Sequence, residues 1–142
     1  MVNGSIDFKH TNGDTGKKLL PQTMGGGVAF LDYDNDGDQD LLISTGICCD
    51  PQFFENIDGL LYYRSVEMGF GGDIDKGGRM PVWFDSDDDG LLETLILSFY
   101  PAPLMQQSGG VFTKLPWSTL QCKDNQYGLM IDSDADGHLD LI

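Results

Sequence analysis

The sequence predicts an all-β chain built from repeats, on three observations. A nine-residue acidic loop occurs three times, at Asp32 to Asp40, Asp85 to Glu93 and Asp132 to Asp140. Each loop follows an apolar run of strand length and leads into another, as Val28 to Leu31 precedes the first and Leu41-Leu42-Ile43 follows it. No helix start signal or 3.6-residue periodicity competes with that pattern.

Residues 3–23 carry turn signals (Asn12-Gly13-Asp14, Thr15-Gly16, Pro21) around one alternating run, Ile6-Asp7-Phe8-Lys9-His10. They are expected to form an N-terminal edge strand and a loop. Gly25-Gly26-Gly27 lacks the Lys-Ser/Thr and the helix of a phosphate loop, and is read as giving the next strand's entry its freedom. Val28 to Leu31 is apolar throughout, which predicts a strand buried on both faces. After the first loop and its exit strand, Cys48 to Pro51 reads as loop, Gln52 to Asn56 as strand, Asp58-Gly59 as a hairpin turn, and Leu60 to Val66 as the returning strand.

The glycine-rich stretch Gly69 to Gly78 then leads to Met80-Pro81-Val82-Trp83-Phe84, which runs straight into the second acidic loop. Thr94 to Tyr100 is the exit strand. Pro101 to Gln107 reads as a connection, and Ser108-Gly109-Gly110 turns into Val111-Phe112-Thr113. Tyr127 to Ile131 opens a third cycle that stops at Leu141-Ile142. Loop starts are 53 and then 47 residues apart, a period that suits one four-stranded propeller blade. The expected organisation is one partial β-propeller of about two and a half repeats, 24–78, 79–125 and a truncated 126–142. Fewer than four blades do not close a ring, so the remaining blades are expected in a longer chain.

The formal net charge of the 142 residues is -15, which excludes nucleic acid as a partner because phosphate binding needs a basic face. The three loops hold 14 of the 23 acidic residues, so the other 9 nearly balance the 8 Lys and Arg. The acidity is local. No apolar run is long enough to span a membrane, and MVNGSIDFKH has no apolar leader segment. Cys48, Cys49 and Cys122 do not have zinc-site spacing; a disulfide from Cys122 to either neighbour and three reduced thiols both stay open.

Carboxylates crowded this closely repel one another unless a cation holds them together. Calcium takes six to eight oxygen ligands in flexible geometry. Side chains at loop positions 1, 3, 5 and 9 and the backbone carbonyl of position 7 make such a set, with glycine at position 6 permitting the turn. The expected ligands are Asp32, Asp34, Asp36, Asp38 and Asp40; Asp85, Asp87, Asp89, Leu91 and Glu93; and Asp132, Asp134, Asp136, His138 and Asp140. Up to three Ca2+ ions are expected, one per loop. An EF-hand opens the same way but needs a bidentate Glu at position 12, where the first two loops have Ile43 and Ile96.

These residues resemble the FG-GAP and VCBS repeats of calcium-binding β-propellers, as in integrin α-subunit propellers. The opening, IDFKHTNGDTGKKLLPQTMGGGVAFLDYDNDGDQDLLI, is similar more narrowly to the first repeat of the ASPIC/UnbV (cartilage acidic protein-like) group. The resemblance implies a seven-bladed propeller of extracellular or periplasmic type, with structural calcium in the loops joining the first two strands of each blade. Glu93 stands where that pattern has Asp and lengthens the ligand.

No catalytic residue is nominated. His10 falls on the expected edge strand and His138 at loop position 7, while G-x-S-x-G is absent. The aromatic residues Phe53, Phe54, Tyr62, Tyr63, Trp83, Phe84, Phe112 and Trp117 are read chiefly as packing between blades. The expected function is a calcium-binding segment of a secreted or cell-surface propeller that mediates adhesion to an unidentified protein or glycan. The alternative is a non-catalytic or partial propeller of a secreted polysaccharide lyase or hydrolase.

Overall fold

A computed structural model describes residues 6–11, 13–18, 20–23, 25–46, 49–71, 78–85, 87–98, 104–115, 130–137 and 140–141. It is all-β, as expected. The first sheet is a meander of β1 (Val28–Leu31), β2 (Asp40–Ile43), β3 (Gln52–Ile57) and β4 (Leu60–Tyr63). The second repeats that order in β5 (Gly78–Phe84), β6 (Glu93–Ser98), β7 (Leu104–Ser108) and β8 (Val111–Lys114). A two-stranded sheet pairs β9 (Met130–Ile131) with β10 (Asp140–Leu141), and every pairing is antiparallel. Among the described residues no helix is long and apolar enough to cross a membrane.

Local chemistry accounts for the tight turns. Asp58 and Gly59 take φ of 53° and 80°, and Gly109 and Gly110 take 59° and 81°, the left-handed pair that matches the twist of hairpin strands. Each acidic loop is closed by the same cross-strand pair, Leu31↔Asp40, Phe84↔Glu93 and Ile131↔Asp140. Three different sequences therefore reach one register.

The two four-stranded sheets pack face to face, with β1 beside β5. Leu31, Leu42 and Phe53 of the first sheet meet Ile96, Met105 and Phe112 of the second, and Trp83 packs against them. Aromatic rings fill the space between: Phe53 stacks on Phe70 at 5.6 Å, and Tyr33 meets Phe53 edge-on at 5.1 Å. Phe70 arrives through a turn after β4, in which Phe70 N–H donates to Ser65 O (2.7 Å) and Phe112 N–H to Met68 O (3.0 Å). The far face of the second sheet carries another apolar cluster, Phe84, Leu95 and Leu97.

Several expectations need correction. β1 is not buried on both faces: Leu31 is buried, whereas Val28 and Phe30 point away from the second sheet and are exposed. Residues 6–11 join no sheet, so the expected edge strand is not formed. Instead Leu20–Thr23 makes a single helical turn, α1, whose Gln22 is buried and donates through Nε2 to Thr15 Oγ1 (2.8 Å). Leu104–Ser108, of which Leu104 to Gln107 falls in the expected connection Pro101 to Gln107, is a strand between β6 and β8, because cross-strand pairing outweighs the weak β-propensity of its Met-Gln-Gln core.

Gly26 is required for space rather than freedom. A Cβ there would run into the carbonyl of Ser44, beside the Ser44 N–H bond to Gly27 O (2.8 Å). Gly26→Ala is expected to cost about 1–3 kcal/mol, the range for forced overpacking. Gly25→Ala, with nothing within 4 Å of its Cβ, should be nearly neutral in the same denaturant titration.

Candidate metal centre

Each acidic loop starts where a strand ends, so its shape depends on what turns the chain back within nine residues. The first carboxylate does so by accepting two backbone N–H groups. Asp32 accepts from Asp36 (3.1 Å) and Gly37 (3.0 Å), Asp85 from Asp89 (3.2 Å) and Gly90 (2.9 Å), and Asp132 from Asp136 (3.1 Å) and Gly137 (3.0 Å). Position 4 is left-handed in all three loops, with φ of 60° at Asn35, 58° at Asp88 and 61° at Ala135. Position 6 is likewise left-handed, at 94°, 84° and 94° for Gly37, Gly90 and Gly137. Asn and Asp tolerate that conformation and Ala does not, yet Ala135 adopts it, so position 4 is imposed by the loop and not by its own residue.

Three carboxylate groups result: Asp32, Asp34 and Asp36; Asp85, Asp87 and Glu93; and Asp132, Asp134 and Asp136. In each, one oxygen from every residue lies within 4.8 Å of the others. Oxygens on opposite sides of a calcium ion, each about 2.3–2.6 Å from it, are about 5 Å apart, so the spread fits such an ion. Exposed acidic groups are common without a metal. What sets these apart is that in all three the first carboxylate is bonded to the same two N–H groups on the same strand register, although the second group takes Glu93 at position 9 where the others take position 5.

The remaining expected ligands are placed differently. Asp40 is buried, and its carboxylate accepts from Tyr33 N–H (3.0 Å) and Asn56 N–H (2.8 Å), tying the start of the first loop to β3. Glu93 at the same position reaches the other carboxylates, because one more methylene carries its head further along the loop. The Asp38 side chain accepts from Asp58 N–H (2.9 Å) and Asp89 from Leu91 N–H (2.8 Å). Asp140 begins β10, and His138 lies outside the described residues, as do Cys48, Cys122 and Trp117. The thiol pairing question falls there too. His10 is exposed and belongs to no sheet.

Sequence reasoning missed the residues that hold the loops from behind. Gln107 is buried on β7 and donates through Nε2 to Tyr33 O (3.0 Å). Gln106 donates to Asp87 (3.3 Å), and Asn35 donates to Gly90 O (3.4 Å), joining the first loop to the second. Nothing in the chain's local pattern marks two glutamines in a presumed connection. Tyr33 turns its ring into the aromatic core and donates its hydroxyl to Glu55 (3.2 Å), which also receives Arg64 Nε (2.9 Å). Burial and the Glu55 charge raise the Tyr33 phenol well above its ordinary value, so it stays a donor.

Burial raises the Asp40 carboxyl, with the charges of Asp34 and Asp36 adding to that, against the two backbone bonds that lower it. Burial also raises Asp34, reinforced by Asp36 and Asp32. Carboxyls raised in the folded state stabilise it most when protonated, and that contribution is lost as pH rises through the raised values. In chelator, the melting temperature is therefore expected to increase as pH falls from neutral toward the ordinary carboxylate value of 3.8. Calcium should reverse the trend, since protons compete with the metal. A metal-free chain that loses stability steadily over the same acid range would contradict these shifts.

Compared with known proteins, the chain matches no family model, no curated protein and no solved structure.

Proposed function

We propose that this chain is a calcium-stabilised segment of a β-propeller, in which each acidic loop clamps the first two strands of a blade. One observation carries the reading: three loops of different sequence share a closing strand pair, left-handed positions 4 and 6, and a first carboxylate bonded to the same two N–H groups. The metal is structural. It neutralises gathered carboxylates and holds an inner strand pair, and the reading gives no residue of the chain a catalytic role. The propeller belongs to a secreted or cell-surface protein and presents its loops and outer strands to another protein or a glycan. The resemblance of the acidic loops to FG-GAP and VCBS repeats supports this, as does the meander order of both four-stranded sheets.

Calorimetric titration of the chelator-stripped chain tests it. Calcium should bind with a stoichiometry approaching three, and Asp36→Ala should remove one equivalent while leaving the others. No heat of binding, with no change in melting temperature, would sink the proposal. Weakening at the second site as well would mean that the Asn35 to Gly90 bond couples the first two loops and that they do not fill independently.

A further inference from the structure

Four Asp-Gly pairs lie among the described residues, at Asp36-Gly37, Asp58-Gly59, Asp89-Gly90 and Asp136-Gly137. An aspartate followed by glycine can close on itself. The glycine nitrogen attacks the carboxyl carbon, and no Cβ on the glycine stands in the way. The N–Cγ bond forms as a Cγ–O bond breaks, and the amide proton leaves with that oxygen as water. One water then opens the succinimide. Attack at Cγ restores aspartate, whereas attack at the main-chain carbonyl carbon gives isoaspartate, in which the chain runs through Cβ. The balance calls for water alone.

The structure separates the four pairs. Cyclisation requires a free glycine nitrogen and a peptide that can turn over. Gly37, Gly90 and Gly137 each donate that N–H to the first carboxylate of their loop, at 3.0, 2.9 and 3.0 Å, and a bond to an ionised acceptor is a strong tie. The carboxylates of Asp36 and Asp89 are engaged as well, accepting from Asp38 N–H and Leu91 N–H (each 2.8 Å). Turning these peptides over would undo the bonds that shape the loops.

The fourth pair forms the hairpin between β3 and β4. Asp58 and Gly59 are exposed, and among the described residues neither the Gly59 N–H nor the Asp58 carboxylate has a hydrogen-bond partner. With φ of 53° and 80° and Ile57↔Leu60 as the closing pair, the turn is a two-residue type I′. Ring closure turns over the peptide between Asp58 and Gly59, which makes the turn type II′. Both types fit a two-residue hairpin, so the strands stay paired while the ring forms. The second four-stranded sheet has Gly109-Gly110 in the same place, without a carboxyl to cyclise.

We infer that Asp58 is a site of isoaspartate formation in the folded chain, and that the first carboxylate of each acidic loop protects the Asp-Gly pair inside it. The modification reaches the first loop. Asp58 N–H donates to Asp38 Oδ2 (2.9 Å), so a turn lengthened by one methylene loosens the tie between that loop and the hairpin. The inference does not rest on calcium binding.

Ageing the intact chain in heavy-oxygen water, in near-neutral buffer with chelator or with calcium, and then mapping its peptides by mass spectrometry provides the test. Every passage through the ring leaves one heavy oxygen on the residue, and an isoaspartyl methyltransferase marks the isomerised product. Label and isoaspartate should build up at Asp58 and stay several-fold lower at Asp36, Asp89 and Asp136, in chelator as in calcium. The same chain in denaturant should label all four alike. Asp32→Ala should raise the label at Asp36 several-fold, and the wild-type comparison stands whether or not that variant folds. Even labelling of the four pairs in the folded chain, no label at Asp58, or a folded Asp32→Ala chain with Asp36 still protected would each overturn the inference. Selectivity that appears only with calcium would overturn it too, because the metal and not the hydrogen bonds would be protecting the loops, and would leave the calcium proposal standing. Selectivity in a chain that gives no heat with calcium does the reverse.

Discussion

Saturating calcium is expected to raise the melting temperature of the chelator-stripped chain by about 5–10 °C for each loop that fills. At a free concentration of 100 times the dissociation constant, a ligand that binds only the folded state adds about 2.7 kcal/mol per site. A domain of this size gains about 2–4 °C per kcal/mol. The loops justify expecting the full linkage, because their carboxylates are brought together only when β1 meets β2, β5 meets β6 and β9 meets β10. An unfolded chain offers the same acids without the cage. Magnesium at equal concentration should give a smaller shift, since it dehydrates reluctantly and demands a tighter octahedron. Sodium chloride at matched ionic strength controls for screening. If it reproduces the calcium shift, the loops are solvated turns relieved of repulsion and not metal cages.

Phe53→Ala is expected to destabilise the chain by about 3–5 kcal/mol, the range for deleting a buried aromatic side chain. Phe53 has no exposed surface and touches three other rings, with centroids 5.1 Å from Tyr33, 5.6 Å from Phe70 and 6.3 Å from Phe112. Its removal opens a cavity between the two sheets, where the surrounding strands are tied by hydrogen bonds and cannot collapse to fill it. The loss should be visible as a melting temperature lower by about 6–20 °C. Phe53→Leu, which keeps most of the volume, should cost less. Val66→Ala, at a site 71% exposed, should stay within about 0.5 kcal/mol. Because Tyr33 belongs to both the Phe53 cluster and the first loop, Phe53→Ala should also weaken calcium at that loop more than at the third. Equal weakening at both loops would separate the core from the site.

Much of the chain could be read residue by residue. The hairpin at Asp58-Gly59, the strands on either side of each acidic loop and the all-β class follow from turn chemistry and short apolar runs, which act over a few residues. The candidate carboxylates of the first and third loops could be read for the same reason, since positions 1, 3 and 5 lie within one turn of chain and the glycine at position 6 bends it, whereas the second group takes Glu93 in place of Asp89. Position 9 was different. Asp40 and Glu93 begin equivalent strands, yet the first is held by Tyr33 and Asn56 while the second joins its carboxylate group. Asn56 lies 16 residues beyond Asp40, and its bond exists only once β3 has paired with β2. No local pattern carries that information.

The sequence by itself determined the all-β class, the repeated loop and the acids that shape it, because short-range turn geometry and strand patterning do not wait for the rest of the fold. Only the tertiary structure decided which faces are covered. Val28 to Leu31 is apolar at every position, so periodicity has nothing to distinguish its two sides. The second sheet lies against Leu31 and leaves Val28 and Phe30 bare. It likewise decided that Leu104–Ser108 is a strand and that Gln107 braces Tyr33 from 74 residues away, since both depend on partners distant in the chain. Local chemistry wrote the loops, and long-range packing assigned what stands behind them.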